Sequence, residues 1–109
     1  MGFTGNENHD IDFDDAGILT KRYRDSITPG NYIGGFFGKS AVINLLEQED
    51  CVGVRYYYGL KEDGSPTLVL VGVDAEGNDL IGQNKSCLQL PIRCPPLCSK
   101  ENVLNSSFE

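Results

Sequence analysis

Four cysteines, Cys51, Cys87, Cys94 and Cys98, are the side chains of this 109-residue sequence most able to do chemistry. A thiolate can bind zinc, attack an electrophile or exchange with a disulfide. The spacing is C-x35-C-x6-C-x3-C, so neither half is the C-x2-C knuckle of a zinc site. Pro95 favours an extended Cys94 and Pro96 an extended Pro95, which leaves Pro96 and Leu97 to turn the chain. With a turn there, Cys94 and Cys98 can share a metal or a disulfide; without one, four extended steps of about 3.1 Å hold them too far apart. Four states remain open: reduced structural thiols, zinc on Cys87, Cys94 and Cys98 with Cys51 or water as fourth ligand, a disulfide, or a thiol-redox enzyme using Cys94 and Cys98. A cytosolic setting favours the first two. Cys51, at the start of an apolar run, reads as a small buried hydrophobe.

A second candidate is "GGFFGKSAVINLL", residues 34–46, which looks like a phosphate loop with Lys39 and Ser40 at its end. A Walker-type loop is G-x-x-x-x-G-K-[ST], so Gly38 requires a glycine at 33, where Ile33 stands. The preceding "TPGNY" is no buried strand, and "LVLVGVD" with Asp74 ends a hairpin strand instead of a parallel one. The stretch therefore reads as a glycine-rich hinge capping a helix.

His9, the single histidine, lies in an acidic N-terminal segment and supports no His-based catalytic set. "DAEGND", residues 74–79, gathers four oxygen-bearing side chains but lacks the ligand loop and closing Glu of an EF-hand, and is most simply a turn. In "VRYYYGL" consecutive residues face opposite ways. Tyr56 and Tyr58 turn the other way from Arg55 and Tyr57, so one pair should be core and the other exposed, and an exposed Arg55–Tyr57 pair is suited to a protein partner.

The elements that must hold these groups follow from periodicity. Asp12 can cap a helix with Asp15 three residues on, acidic at its start and basic at "KRYR", with Ala16, Leu19 and Tyr23 on one face and "TPG" ending it. Residues 26–38 carry four glycines and Pro29 and read as a loop pinned by Tyr32, Phe36 and Phe37. Val42, Leu45 and Leu46 mark a second helix over 39–48. "CVGVRYYYGL" and "PTLVLVGVD" form two antiparallel strands about an Asp63-Gly64 turn, with "DLIGQ" as a short third strand.

Charge narrows the partners. The net charge is −7, but residues 1–15 hold five acidic residues and no Lys or Arg, so the remainder carries 9 basic against 11 acidic residues. Such a balance disfavours a nucleic-acid binder. The longest apolar run is far shorter than the roughly 20 residues of a membrane-spanning helix. The N-terminus has neither the basic start nor the apolar stretch of a secretory signal, and Asn6 breaks a myristoylation motif, so a cytoplasmic chain is expected.

In the order "FFGKSAVINLL", "CVGVRYYYGL", "TLVLVGVDAEGNDL" and "CPPLC", the chain resembles a set of small uncharacterised bacterial proteins over about residues 32–98. The resemblance implies a free-standing bacterial domain and carries no activity, ligand or site residue. The expectation is α+β: residues 1–10 a disordered acidic arm, 11–98 one domain with two helices on a three- to four-stranded antiparallel sheet crossed at one edge by the cysteine-bearing tail, and 99–109 a flexible tail. A non-enzymatic binding or assembly module follows, its partner another protein or a second copy met through Arg55 and Tyr57 or a sheet edge. The alternatives are a zinc-stabilised domain and a thiol-redox enzyme.

Overall fold

A computed structural model describes residues 2–90 and 92–106. In chain order the elements are α1 (Phe13–Ser26), β1 (Gly34–Phe36), α2 (Lys39–Leu46), β2 (Gly53–Leu60), β3 (Pro66–Val73), β4 (Cys87–Gln89) and β5 (Ile92–Cys94). The fold is α+β, with two helices and two antiparallel sheets among the described residues, ordered β2-β3-β4 and β1-β5. Within it the chain forms two compact units, residues 2–8 with 37–90 and residues 9–36 with 92–106.

The first unit is built on the β2-β3 hairpin, in register from Gly53 opposite Val73 to Leu60 opposite Pro66. Its turn forms where expected: Gly64 takes a positive φ of 85°, and the Asp63 carboxylate accepts from the Ser65 N–H and hydroxyl. The expected third strand at 79–83 is reduced to a single bridge between Val73 and Asp79. After Leu80 donates to the Gly72 carbonyl, the chain leaves the sheet through an exposed Ile81 and a left-handed Gly82. The tail supplies the third strand instead, with Leu88 opposite Leu70 and Cys87 opposite Val71.

Helix α2 begins at Gly38, packs against β3 and buries Leu45 completely. Gln48, just past its end, donates to the Leu45 carbonyl and accepts from the Ser86 N–H, tying the connection into β4 to the helix. Val71, Val73 and Leu90 complete a small apolar core. Gly72 sits at a close approach, where a Cβ would lie 2.8 Å from Gln48 Nε2 and 3.0 Å from Cys51 Sγ, so that these side chains would have to shift to admit one. Residues 2–8 belong to this unit: the Phe3 N–H donates to the Ala75 carbonyl, and the Phe3 ring lies beside Gly77. Thr4 and Gly5 N–H groups donate to the Glu7 carboxylate and hold its pKa below the ordinary glutamate value.

In the second unit, Asp12 caps α1 by accepting from the Asp15 N–H at 2.8 Å. The face that α1 packs differs from expectation. Leu19 and Tyr23 are more than half exposed, and Gly17 is the buried position, where a Cβ would lie 2.8 Å from the Val103 carbonyl oxygen. Arg24, on the same face, donates to the Leu104 carbonyl at 2.6 Å. Residues 99–106 are folded around two asparagines: the Asn105 amide donates to the Ser99 and Lys100 carbonyls, and its oxygen accepts from the Asn102 N–H. Residues 107–109, within the stretch expected to fray, lie outside the described residues.

The expected loop at 26–38 contains β1, with Gly34 opposite Cys94 and Phe36 opposite Ile92. Phe36 is exposed and does not anchor it, whereas Tyr32 is covered by the Arg93 guanidinium, 4.2 Å from the ring centre. Cys94 and Cys98 form a disulfide with their Cα atoms 4.9 Å apart. The turn between them falls at Pro95 and Pro96, one residue earlier than expected, and both bonds preceding these prolines are cis.

Candidate interaction surface

The two faces of β2 are used differently. On one, Arg55 and Tyr57 converge on Asp79, a residue that sequence spacing had placed in a turn. The Arg55 guanidinium donates to Asp79 Oδ1 at 2.5 Å and to the Gly77 carbonyl at 3.1 Å, and the Tyr57 hydroxyl donates to Asp79 Oδ2 at 2.6 Å. Each carboxylate oxygen is thus engaged, and the 74–79 turn is fastened across the sheet. The hydrogen bond from Tyr57, joined by that from Arg55, holds the Asp79 carboxyl below the ordinary aspartate range. The same carboxylate raises the pKa of the Arg55 guanidinium and, by favouring the neutral phenol, that of Tyr57.

The turn itself is local chemistry. Asp74 Oδ1 accepts from the N–H groups of Glu76 and Asn78, and Gly77 takes a positive φ. This accounts for "DAEGND" without a cation, and among the described residues no three His, Cys, Asp or Glu side chains gather as metal ligands.

The opposite face of β2 carries Val54, Tyr56, Tyr58 and Leu60, with relative exposures of 45%, 56%, 83% and 76%. Sequence reasoning placed one of these two pairs in the core; here both are accessible. The Tyr56 and Tyr58 rings meet edge to face with centroids 5.5 Å apart.

The backbone of these four residues is also open. Leu90 donates to the Leu68 carbonyl and Leu80 to that of Gly72, so the even-numbered residues of β3 direct their backbone groups away from β2. Thr67, Val69, Val71 and Val73 therefore face β2, where their register partners are Gly59, Tyr57, Arg55 and Gly53. The backbone N–H and C=O groups of Val54, Tyr56, Tyr58 and Leu60 point outward, along what is an edge strand among the described residues.

Beside the Arg55–Asp79–Tyr57 cluster lies an open groove of about 380 Å³, lined by Tyr57, Val71, Leu80, Ile81, Lys85 and Cys87 among others. Cys87 is exposed, and Cys51, half-buried, donates its thiol to the Gly53 carbonyl. Of the three cysteines read as zinc ligands, Cys94 and Cys98 are bonded to each other in the second unit, and Cys87 is a free thiol in β4 of the first. In the glycine stretch only Phe37 and Gly38 separate β1 from α2, and Lys39 is exposed at the first turn of the helix. His9 is exposed, and no helix among the described residues is long and apolar enough to cross a membrane. Comparison of the chain with protein-family models, curated proteins and solved structures finds no match.

Proposed function

We propose that this protein is a non-enzymatic binding or assembly module, cytoplasmic and of the bacterial type its segment order resembles, that engages a protein partner through β2. The observation that carries the reading is the coincidence on one edge strand of exposed apolar side chains and outward-directed backbone groups. Strand addition uses that pair of features: main-chain hydrogen bonds supply attraction, and alternate side chains supply selectivity. Arg55 and Tyr57 belong to this surface as its support, since their bonds to Asp79 hold the strand's other face in place.

The test compares wild type with Tyr56→Lys and Tyr58→Lys in native-mass measurements and in co-purification from the source cell. Wild type is expected to associate and both variants to remain folded and alone. Association that is identical in all three proteins, or absent from wild type in both assays, overturns the reading.

The Cys94–Cys98 pairing supports a second reading, a thiol-redox couple. An external dithiol would attack the exposed Cys98 sulfur and displace the Cys94 thiolate; closure of the donor's own disulfide then frees Cys98, leaving two protein thiols and an oxidised donor after transfer of two electrons. Quenched thiol counts in fresh lysate decide it: a changing Cys94–Cys98 state on oxidant challenge supports it, and a fixed state removes it. If both thiols are constantly reduced, zinc on Cys87, Cys94 and Cys98 becomes the reading to measure by elemental analysis.

A further inference from the structure

We propose that the occupant of the β2 edge is β2 of a second copy of this chain, antiparallel about a two-fold axis through Tyr57. The inference rests on the reading of β2 as the association surface, and adds the partner and the register. Directly opposed residues of an antiparallel pair project to the same face. A two-fold axis perpendicular to the sheet keeps each face on its own side, so opposed residue numbers must sum to an even value.

One overlap uses all four outward-facing residues as hydrogen-bonded pairs. It places Tyr57 opposite itself, Val54 opposite Leu60 of the second copy and Tyr56 opposite Tyr58 of the second copy. An aliphatic pair and an aromatic pair then line one face of the seam, each repeated by symmetry, and aromatic pairs stabilise cross-strand association. On the other face Arg55 lies opposite Gly59 of the second copy, where it meets no side chain directly across. Arg55 is the single charged residue of the strand, and Asp79 already neutralises it. Gly53–Leu60 also contains no Pro, Lys, Asp or Glu, the residues with which edge strands are usually protected against such pairing. The three strands of each copy join into one continuous sheet.

The experiment is sedimentation over a concentration series for wild type, Tyr58→Lys and Tyr58→Pro, with far-ultraviolet circular dichroism confirming that each is folded. Proline at 58 removes an outward N–H and no bond to β3, so it tests backbone pairing separately from side-chain contact. Disulfide trapping then reads the register, with Cys51 and Cys87 replaced by Ser. In the proposed register, Tyr57→Cys meets itself in a non-hydrogen-bonded pair with Cα atoms about 4.5 Å apart, within disulfide range, whereas Tyr58→Cys faces position 56 of the second copy.

Wild type is expected to sediment as a dimer. Both Tyr58 variants should weaken dimerisation by about tenfold or more, and Tyr57→Cys should cross-link while Tyr58→Cys does not. A monomer at every concentration, a dimer indifferent to both Tyr58 variants, or trapping at 58 and not at 57 would overturn the inference. A monomer that loses a different protein partner on Tyr58→Lys overturns it while leaving the broader reading of β2 standing.

Discussion

Arg55 and Tyr57 on one face of β2, and Tyr56 and Tyr58 on the other, are neighbours in sequence with opposite fates. The pair with the more reactive chemistry is consumed internally, each member donating to Asp79. The pair that looks like core material is the one left in solvent. A polar side chain within reach of a carboxylate gains a charge-assisted hydrogen bond by folding inward, whereas an apolar one is covered only if another element arrives to cover it. On β2 none of the described strands does. Functional promise therefore moves from the residues with polar handles to those without.

The sharpest way to set the scale of that contrast is to damage the core beneath the sheet. Leu45 is fully buried, so Leu45→Ala should destabilise the protein by about 2–5 kcal/mol, measured by urea unfolding. That loss should exceed the effect of any substitution on either face of β2.

Next comes the engaged face. Asp79→Asn leaves Arg55 without its anionic partner and is expected to lower the melting temperature by a few degrees while the fold persists. The difference between wild type and this variant should depend on pH in a defined direction. Because Asp79 has its folded pKa held below the ordinary value, its contribution is present above about pH 4 and is lost as pH falls through the folded pKa. Tyr57 has its pKa raised by the same bond, so its contribution is whole below about pH 10 and is lost as pH rises through the folded value. Melting curves across both limbs check this, and a wild-type profile parallel to that of Asp79→Asn throughout would dissolve the cluster as an energetic unit.

The smallest effect on stability belongs to the open face. Tyr58 is 83% exposed, and Tyr58→Lys should leave the melting temperature of the dissociated protein within about 2 °C of wild type. A large drop would mean that Tyr58 is structural and that the two faces are not as different as described.

Local chemistry was legible before any coordinates. The Asp12 cap, the Gly38 start of α2 and the Asp63-Gly64 turn each depend on residues within a few positions of one another. What escaped sequence reasoning depends on approach over distance. Gly17 packs α1 because it lacks a side chain, and so gives no periodic apolar signal of the kind that drew attention to Leu19 and Tyr23. The third strand went to Cys87–Gln89 instead of the more regular "DLIGQ", because Gly82 turns the chain out and Gln48 fastens Ser86 to the end of α2. Asp79 stands over twenty residues from Arg55 and Tyr57, and only the hairpin register and the Gly77 turn bring them together. The exposed face of β2 was hidden in a different way: alternation shows that two faces exist, but not which of them the rest of the chain leaves uncovered.

Amide hydrogen exchange along β2, followed by NMR over a dilution series, tests the central claim most directly. In dilute solution the N–H groups of Arg55, Tyr57 and Gly59 should be protected by β3 while those of Val54, Tyr56, Tyr58 and Leu60 exchange quickly. Protection of the second set should rise with protein concentration as the edges pair. Outward amides that stay unprotected at every concentration, or that are already as protected as their neighbours at the lowest, would contradict the account.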